Sequence, residues 1–472
     1  MVTTREYVTF HAAERPDAIA VVRNGRSIRY AEFARHIRKF THALRVLGLP
    51  ARSTAAIECA DPYFSWLLRL AFEELRVITA TLGREDMADA LSRAGSFDIV
   101  LSGTNAPAGA VRHHAITTAW LGAVLERGAE DHEPAPERRP EDPVRIVRTS
   151  GTTGRPKRLL HTRHITETHI ARVMWLGGLT RRSRYLLAWP VAISAPAACV
   201  RAGGTVVIEE GMSIAEAVAA HDITHTTMPP LGIKHVLDGL PQDFAKPDDL
   251  TIWSFGAPIS RTLRERTLAR LATDLIDIYA SNEADTVSSI RGTQEIGTIW
   301  PGVRVEVVDA DDRPLPFGQA GQIRVRTECM ADGYLDFPEA AGRIFKDGWF
   351  YSGDVGILHD ARRLQVLGRG DEVLNIGWRK IAPEVIEELV LKLGEVADVG
   401  VCAIPNRDGI EELCIAVVGQ RCSDKVLLQR INEAFRGFQF GRFNVVNVPA
   451  VPRTADGKPQ RKALKAAIAA RV

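Results

Sequence analysis

The sequence predicts an α/β fold with a large N-terminal domain of parallel-type sheets, which includes a β-rich subdomain, and a small α+β C-terminal domain. The first hundred residues alternate helical patterns such as SIRYAEFARHIRKFTHALRVLGL with short apolar runs such as FDIVLSG, an order typical of helices that cover a mostly parallel sheet. After about residue 300 the chain becomes β-rich, and from about Asp371 it carries its own strand and helix patterns. We therefore expect a large domain over residues 1–370 and a small one over 371–472.

The composition narrows the class of function. A chain of 472 residues is too long for one ordinary core, and its 60 basic and 58 acidic residues leave a net charge of only +2, which gives no general attraction for nucleic acid or a membrane surface. The six cysteines are scattered without a CxxC pair, which favours a reduced, cytoplasmic protein. No apolar run approaches the length of a membrane span. We expect neither nucleic acid binding nor membrane insertion.

A patch of hydroxyls, glycines and one lysine, TSGTTGRPK, runs from Thr149 to Lys157. It is not a Walker loop, because that motif needs serine or threonine after its lysine, and here Arg158 follows. Glycines at 151 and 154 allow tight turns that direct backbone N–H groups outward, so the patch suits a polyphosphate. By composition alone, a surface turn rich in glycine and threonine explains the patch equally well.

Six stretches in order decide between these interpretations. They are TSGTTGRPK, SFGAPIS, DIYASNEA, YSGDVG, GRGDEVLNIGWRKIAP and PRTADGKPQR. With them the chain resembles the adenylate-forming superfamily of acyl-CoA synthetases, adenylation domains of peptide synthetases and luciferases. The resemblance implies an ATP- and Mg²⁺-dependent ligase that converts a small carboxylic acid into an acyl-adenylate and pyrophosphate. It implies acyl transfer to a thiol, with CoA as candidate co-substrate ahead of an acyl carrier protein.

The resemblance also assigns residues to the nucleotide. It implies that the phosphates are bound by Thr149, Ser150, Gly151, Thr152, Thr153, Gly154, Lys157 and Asn282. It implies that adenine and ribose are bound by Gly256, Ala257, Pro258, Asp277, Tyr279, Ala280, Asp354 and Arg369. Tyr279 would stack on adenine, Asp277 would accept from its amine, and Asp354 would accept from the ribose hydroxyls.

Two residues are assigned to the chemistry and one to movement. Glu283 is implied as the magnesium ligand, a role that a hard carboxylate oxygen suits. Lys458 is implied as the lysine that bridges the attacking carboxylate and the α-phosphate, where two anions need positive charge. Asp371 falls at the hinge about which the small C-terminal domain rotates, so the resemblance makes that domain mobile. Without the resemblance, Tyr279 reads as a core aromatic, Glu283 as a helix N-terminal acid and Lys458 as a solvated lysine.

The acyl pocket departs from the common pattern. Where relatives have an aromatic or histidine gate, the stretch WPVAISAPAA places Ile193, and Ala257, Ala280 and Ser281 are the other candidate lining residues. This stretch has no acid to pair with a substrate ammonium, whose unpaired burial costs several kcal/mol. We therefore expect a non-amino aliphatic or aromatic acid.

The acceptor path departs as well. Gly377 is kept, but Trp378 replaces a second glycine that lines the pantetheine path in CoA-forming relatives. This leaves three acceptors open: CoA, a carrier-protein thiol, and an amine, which would make the enzyme an amide synthetase. A non-catalytic nucleotide-binding protein is the remaining alternative, and it is disfavoured because Lys157, Glu283, Asp354, Arg369 and Lys458 are all present.

Overall fold

The structure is a computed structural model of the chain. It describes residues 2–83, 87, 90–92, 97–103, 105–106, 112–128, 138–149, 157–188, 194–256, 258–336, 342, 344–370, 374–376, 379–381, 383–405, 411–435, 443–454 and 457–469. The chain forms two compact units. Unit 1 comprises Met1–Thr227, Asn282–Asp285 and Glu328–Phe345, and unit 2 comprises Met228–Ser281, Thr286–Thr327 and Lys346–Val472.

Unit 1 alternates helices and strands along most of its length. Its helices are α1 Thr4–Glu14, α2 Tyr30–Arg45, α3 Pro62–Glu74, α4 Thr118–Glu126, α5 Arg163–Leu176, α6 Ser194–Arg201 and α7 Ile214–Ala220. Its strands are β1 Ile19–Arg23, β2 Arg26–Arg29, β3 Thr54–Ile57, β4 Ile78–Thr81, β5 Ile99–Ser102, β6 His113–Ala115, β7 Pro143–Thr149, β8 Lys157–Thr162, β9 Arg184–Leu186, β10 Thr205–Ile208 and β11 His225–Met228.

The strands of unit 1 are mostly parallel. One sheet has the order β6-β5-β3-β4-β7-β8, in which only β7 and β8 pair antiparallel among the pairs described. In a second group β11, β9, β10 and β1 follow one another in parallel, with β2 antiparallel to β1. The lysine of the predicted phosphate loop, Lys157, begins β8.

Helix α3 shows how the sequence fixes these elements. It begins with proline, whose missing N–H is not needed in the first turn. The Asp61 carboxylate caps it, accepting from the backbone N–H groups of Tyr63 at 2.9 Å and Phe64 at 3.1 Å. Trp66, Leu67 and other apolar side chains around it are buried, as expected of a helix enclosed within an α/β domain.

Unit 2 contains the remaining elements. Its helices are α8 Pro230–Gly239, α9 Arg261–Arg270, α10 Pro383–Leu391, α11 Asp424–Ala434 and α12 Arg461–Ala469. Its strands are β12 Thr251–Ser254, β13 Asp274–Ser281, β14 Asp285–Arg291, β15 Gly297–Ile299, β16 Arg304–Val308, β17 Ala320–Arg326, β18 Phe345–Lys346, β19 Trp349–Asp360, β20 Arg363–Arg369, β21 Leu374–Ile376, β22 Arg379–Ile381, β23 Asp398–Pro405, β24 Glu411–Val418 and β25 Phe443–Asn447. The first residue of β14 and of β18 lies in unit 1, and the last residue of β11 lies in unit 2.

The pairing in unit 2 changes along the chain. Strands β12 and β13 are parallel, whereas β14, β15, β20, β19, β17 and β16 follow one another in antiparallel pairs. The last part of the chain has its own sheet, in which β24 pairs antiparallel with β23 and parallel with β25. The predicted α/β class, with its β-rich stretch and a smaller C-terminal sheet domain, is confirmed.

The C-terminal part of unit 2 also has its own apolar core. Ile386 and Val390 of α10 pack with Val401, Leu413 and Ile431 in one buried cluster. Arg461, at the start of α12, is 4 % exposed and forms ion pairs with Glu387 and Glu384 of α10, each at 2.6 Å. The predicted boundary at Asp371 lies outside the described residues.

Among the described residues, no helix combines the length and the apolar character that a membrane crossing needs.

Candidate active site

The β7–β8 hairpin positions the ends of the predicted phosphate loop. Thr149 ends β7 and pairs with Lys157, the first residue of β8. Next to this pair Arg158 forms a bidentate ion pair with Asp336, with Nε–Oδ distances of 2.9 Å. Because Arg158 is 8 % exposed, this pair holds the start of β8 firmly in place. The loop residues Ser150, Gly151, Thr152, Thr153 and Gly154 lie outside the described residues.

Lys157, Tyr334 and Glu283 form a chain of contacts in unit 1. The Lys157 Nζ lies 4.6 Å from the centre of the Tyr334 ring, a cation–π distance. The Tyr334 hydroxyl donates to Glu283 Oε1 at 2.8 Å. Glu283 is 9 % and Tyr334 8 % exposed. The structure therefore brings together two residues that the sequence assigned to the phosphates and the metal, through a tyrosine that it did not.

Asn282 is fixed by both strands of the hairpin. Its Nδ2 donates to the Arg148 carbonyl at 3.3 Å, and its own carbonyl lies 2.8 Å from His161 Nε2. Burial, followed by the charge of Arg145, lowers the pKa of His161 to about 4. The imidazole is therefore neutral at pH 7, and its Nε2 carries the hydrogen, since a carbonyl only accepts.

Asp285 anchors the other end of the same short segment. Its φ of +61° is in the left-handed region, which is unfavourable for a residue other than glycine. His169 Nδ1 contacts its Oδ1, and Arg172 Nη1 donates to its Oδ2 at 2.9 Å. Both partners lie on α5, so this helix holds the backbone that carries Glu283.

Asp354 and its neighbours form a second group of predicted residues, in unit 2. Asp354 on β19 pairs with Arg369 on β20, and Arg369 Nη1 lies 3.8 Å from Asp354 Oδ1. The Tyr279 hydroxyl donates to Asp354 Oδ2 at 2.5 Å. Gly353 has a φ of +76°, and a Cβ there would lie 3.1 Å from Arg369 Nη2, so glycine leaves room for the guanidinium.

Burial raises the pKa of Asp354, and the hydrogen bond from Tyr279 and the charges of Arg369 and Lys458 oppose this shift. Lys458 itself is exposed. Its backbone N–H donates to Thr454 Oγ1 at 3.1 Å, and its carbonyl accepts from the Thr454 N–H at 2.8 Å.

Asp277, the predicted adenine acceptor, has an unforeseen protein partner. Arg264 Nη2 of α9 donates to its Oδ2 at 3.0 Å, and burial raises the pKa of the carboxyl to about 6. Its role toward adenine stays a prediction. Around it, Gly256 has a φ of +90°, and Pro258 and Ala280 are exposed while Ser281 is partly buried.

The remaining predicted residues lie outside the described part of the chain. They are Ala257 near the adenine, Ile193 at the acyl gate, Asp371 at the hinge, and Gly377 and Trp378 on the acceptor path. Their assigned roles stay predictions.

Sequence reasoning missed Tyr334, His161, His169 and Arg172. Tyr334 is 51 positions from Glu283 and His169 is 116 positions from Asp285, so no local spacing connects them. The segments Asn282–Asp285 and Glu328–Phe345 belong to unit 1 although unit 2 residues flank the first on both sides. The stretch ADGYLDF around Tyr334 mixes polar and apolar residues. This pattern does not indicate which residue Tyr334 contacts.

Known proteins resemble this chain in sequence. Residues 8–335 match the sequence model of a family described as AMP-binding enzyme. A salicylyl-CoA synthase / salicylate adenylyltransferase from a Streptomyces species is 28% identical over 340 residues, which are 67% of this chain and 61% of that protein, so the match spans less than two thirds of that relative. An indoleacetate–CoA ligase from Aromatoleum aromaticum is 25% identical over 514 residues, covering 98% of each chain.

Solved structures share the fold. The o-succinylbenzoate coenzyme A synthetase of Bacillus subtilis, in complex with ATP and a magnesium ion, has a TM-score of 0.83 at 20% identity, covering 97% of this chain and 99% of that one. The amide bond synthetase McbA of Marinactinospora thermotolerans has a TM-score of 0.78 at 21% identity, covering 98% of this chain and 99% of that one. At these identities the likeness establishes the fold.

Proposed function

Because this chain belongs to the AMP-binding enzyme family of adenylate-forming ligases, we propose that it activates a small, non-amino carboxylic acid with ATP and then passes the acyl group to a thiol. The observation that carries this proposal is the contact chain from the Lys157 ammonium through Tyr334 to the Glu283 carboxylate. It places one cation and one buried carboxylate beside the hairpin that bears the predicted phosphate loop.

Glu283 fits a magnesium ion. Its Oε1 accepts from Tyr334, whereas its Oε2 accepts no hydrogen bond from any residue that the structure describes. Mg²⁺ is commonly held by one or two carboxylates together with substrate phosphates and water. A bound ion would neutralise phosphate charge, while Lys157 would offer its ammonium to the same phosphates. One amide hydrogen of Asn282 is used by the Arg148 carbonyl, and among the described residues none accepts the other, which could therefore donate to a phosphate.

The Asp354 group fits the ribose. A carboxylate that accepts from two vicinal hydroxyls must have lone pairs free, and Asp354 accepts one short hydrogen bond from Tyr279. Arg369 lies beside it and is held by donation from its Nη1 to the Ser352 carbonyl at 2.7 Å. In our proposal Arg369 orients Asp354 toward the sugar, and Tyr279 joins the ribose and adenine subsites.

Lys458 supplies the charge for the chemical step in this proposal. The attacking carboxylate and the α-phosphate are both anionic, so an ammonium between them stabilises the transition state more than either separated reactant. The effect of Lys458 on the pKa of Asp354 supports its approach to the nucleotide side. We also propose that residues 371–472 rotate about Asp371 and remove this lysine before acyl transfer.

The proposed acid class and the proposed acceptors rest on the sequence. The stretch AISAPAA contains no carboxylate for a substrate ammonium, so the proposed acid is aliphatic or aromatic. CoA is the first acceptor proposed, followed by a carrier-protein thiol. An amide synthetase is the second candidate function, because the Trp378 indole stands where relatives need a glycine on the pantetheine path.

The first experiment measures pyrophosphate release from ATP and Mg²⁺ with a panel of aliphatic, aromatic and amino acids. We expect release that depends on a non-amino acid and disappears in the Glu283→Gln variant. Absence of acid-dependent release across the panel contradicts the proposal.

The second experiment identifies the acceptor. The preferred acid is supplied with CoA, with a pantetheinylated carrier protein, or with primary amines, and the products are weighed by mass spectrometry. A thioester supports the leading proposal. An amide formed without any thioester supports the amide synthetase instead.

A further inference from the structure

A small cavity in unit 1 is lined by none of the residues assigned above to the nucleotide or the metal. It measures about 50 Å³, and its polar lining includes Arg69 and Glu73 of α3, Arg145 of β7, and the hydroxyls of Thr79, Thr166 and Ser194. All of these residues lie within Met1–Thr227, so the cavity belongs entirely to unit 1.

The cavity has more positive than negative charge. Glu73 is its only lining acid within the described part of the chain, and its Oε1 already accepts from Arg163 Nη1 at 2.8 Å. The nearby Glu167 is paired with Arg201 at 2.5 Å. Arg69 Nε donates to the Ser65 carbonyl at 3.4 Å, and neither Arg69 nor Arg145 forms an ion pair with a described residue. The described lining therefore carries two guanidinium groups and one carboxylate, and that carboxylate is paired with Arg163.

The buried positive charge of Arg69 and of Arg145 is unfavourable, as the lowered pKa of each shows. Burial lowers the pKa of Arg69 to about 9, and the charge of Arg145 adds to the lowering. Burial likewise lowers the pKa of Arg145 to about 10. Arginine keeps its proton at neutral pH, so the two positive charges persist and repel each other. A negative ion between them would remove the penalty.

The other polar groups also suit an anion. The Thr166 Oγ1 is buried and has no hydrogen-bond partner among the described residues. A hydroxyl can rotate its hydrogen toward an anion, and guanidinium groups donate strongly to carboxylates and similar ions. A buried hydroxyl left without a partner is unusual in a folded protein, and a ligand in the cavity would supply that partner.

The volume of the cavity limits the size of the ligand that it can hold. A water molecule needs roughly 10–15 Å³ on the same measure, so a cavity of about 50 Å³ holds a few waters or one small ion and excludes a nucleotide. We propose that this cavity binds one small monovalent anion, a halide, nitrate or carboxylate group, between Arg69 and Arg145. Because Arg145 lies on β7, the bound anion stabilises the strand that leads into the phosphate loop.

The test compares anions at constant ionic strength. The melting temperature of the full chain is measured in sodium gluconate, with gluconate replaced stepwise by bromide, nitrate or acetate. At saturation we expect at least one of the small anions to raise the melting temperature by about 2 °C or more relative to gluconate. In Arg69→Met and Arg145→Met, the concentration that gives half of this effect should rise at least about tenfold.

The control is Arg182→Met, which removes an equally charged but exposed side chain and should leave the anion response unchanged. Diffraction from wild-type crystals soaked in bromide should show anomalous scattering between the two guanidinium groups. The proposal is overturned if this peak is absent, or if wild type and both cavity variants respond equally to every anion. If the variants do not fold, the bromide experiment on the wild type decides.

Discussion

Glu283 and Lys458, the two charged residues assigned to the chemistry, are held in opposite ways. Glu283 is 9 % exposed, and the segment around it is fixed by contacts to β7, β8, α5 and Tyr334. Lys458 is exposed, and its hydrogen bonds within the described chain run through its backbone to Thr454. A metal ligand must keep its geometry, whereas a lysine that acts in one step of two benefits from freedom. The described contacts are therefore concentrated around the proposed magnesium ligand and not around the proposed catalytic lysine.

Removing the lysine should give the largest effect. Lys458→Ala is expected to reduce acid-dependent pyrophosphate exchange by about 100- to 1,000-fold, because one charge aimed at the transition state is lost. Binding of ATP and the melting temperature should change little, since an exposed side chain contributes little to stability. Exchange assays and calorimetry check this. The matched control is Lys462→Ala, another exposed lysine close in sequence, which should keep full exchange.

Tyr334→Phe tests whether the contacts around Glu283 matter for activity. It removes the hydroxyl that donates to Glu283 Oε1, and we expect exchange to fall about tenfold, since a hydrogen bond to a charged group contributes about 1.5–3 kcal/mol. Tyr185→Phe removes another buried hydroxyl, which donates to Thr227 Oγ1 at 2.8 Å. If the exchange rate falls by the same factor in both variants, the effect of the Tyr334 hydroxyl is not specific to its hydrogen bond with Glu283.

Arg172→Met tests the support behind the metal ligand. Asp285 would lose its hydrogen bond from the Arg172 guanidinium, so we expect the free energy of unfolding to fall by about 2 kcal/mol. The Mg²⁺ concentration that gives half-maximal exchange should rise roughly threefold, because Glu283 is less well positioned. Partial recovery in Arg172→Lys would separate the role of the charge from that of packing. An unchanged Mg²⁺ dependence would assign Arg172 to stability alone.

The smallest expected effect is the pH dependence from His161. Its folded pKa of about 4 lies below the ordinary histidine value of about 6.5, so below pH 6.5 the unfolded state binds more protons than the folded state. Stability should therefore fall as the pH drops from 6.5 toward 4, by at most about 1.4 kcal/mol per pH unit. Urea unfolding at pH 7.0 and 5.0 measures this change. His161→Gln should show a smaller change, and an equal one would contradict the assignment.

The fold class was predictable because periodicity and pairing are local properties. The alternation of helices and strands before residue 228 and the β-rich texture after residue 300 both follow from patterns within short windows. The ordered motifs likewise predict Lys157, Glu283 and Asp354 as site residues from short stretches of sequence, and their roles stay predictions. Tyr334 and Arg172 were not predictable in the same way, because their roles depend on pairings across the fold. The same applies to the ion pair between Asp277 and Arg264.

The β7–β8 hairpin has a consequence for engineering. Its register is set by pairs that run from Val147↔Leu159 to Thr149↔Lys157 and by the ion pair of Arg158 with Asp336, all outside the intervening loop. A one-residue slip of β8 would turn Lys157 to the opposite face of the sheet, and loop length is one of the features that fix the register of a hairpin. Loops transplanted between positions 149 and 157 should therefore keep the native number of residues, so that the lysine stays in place.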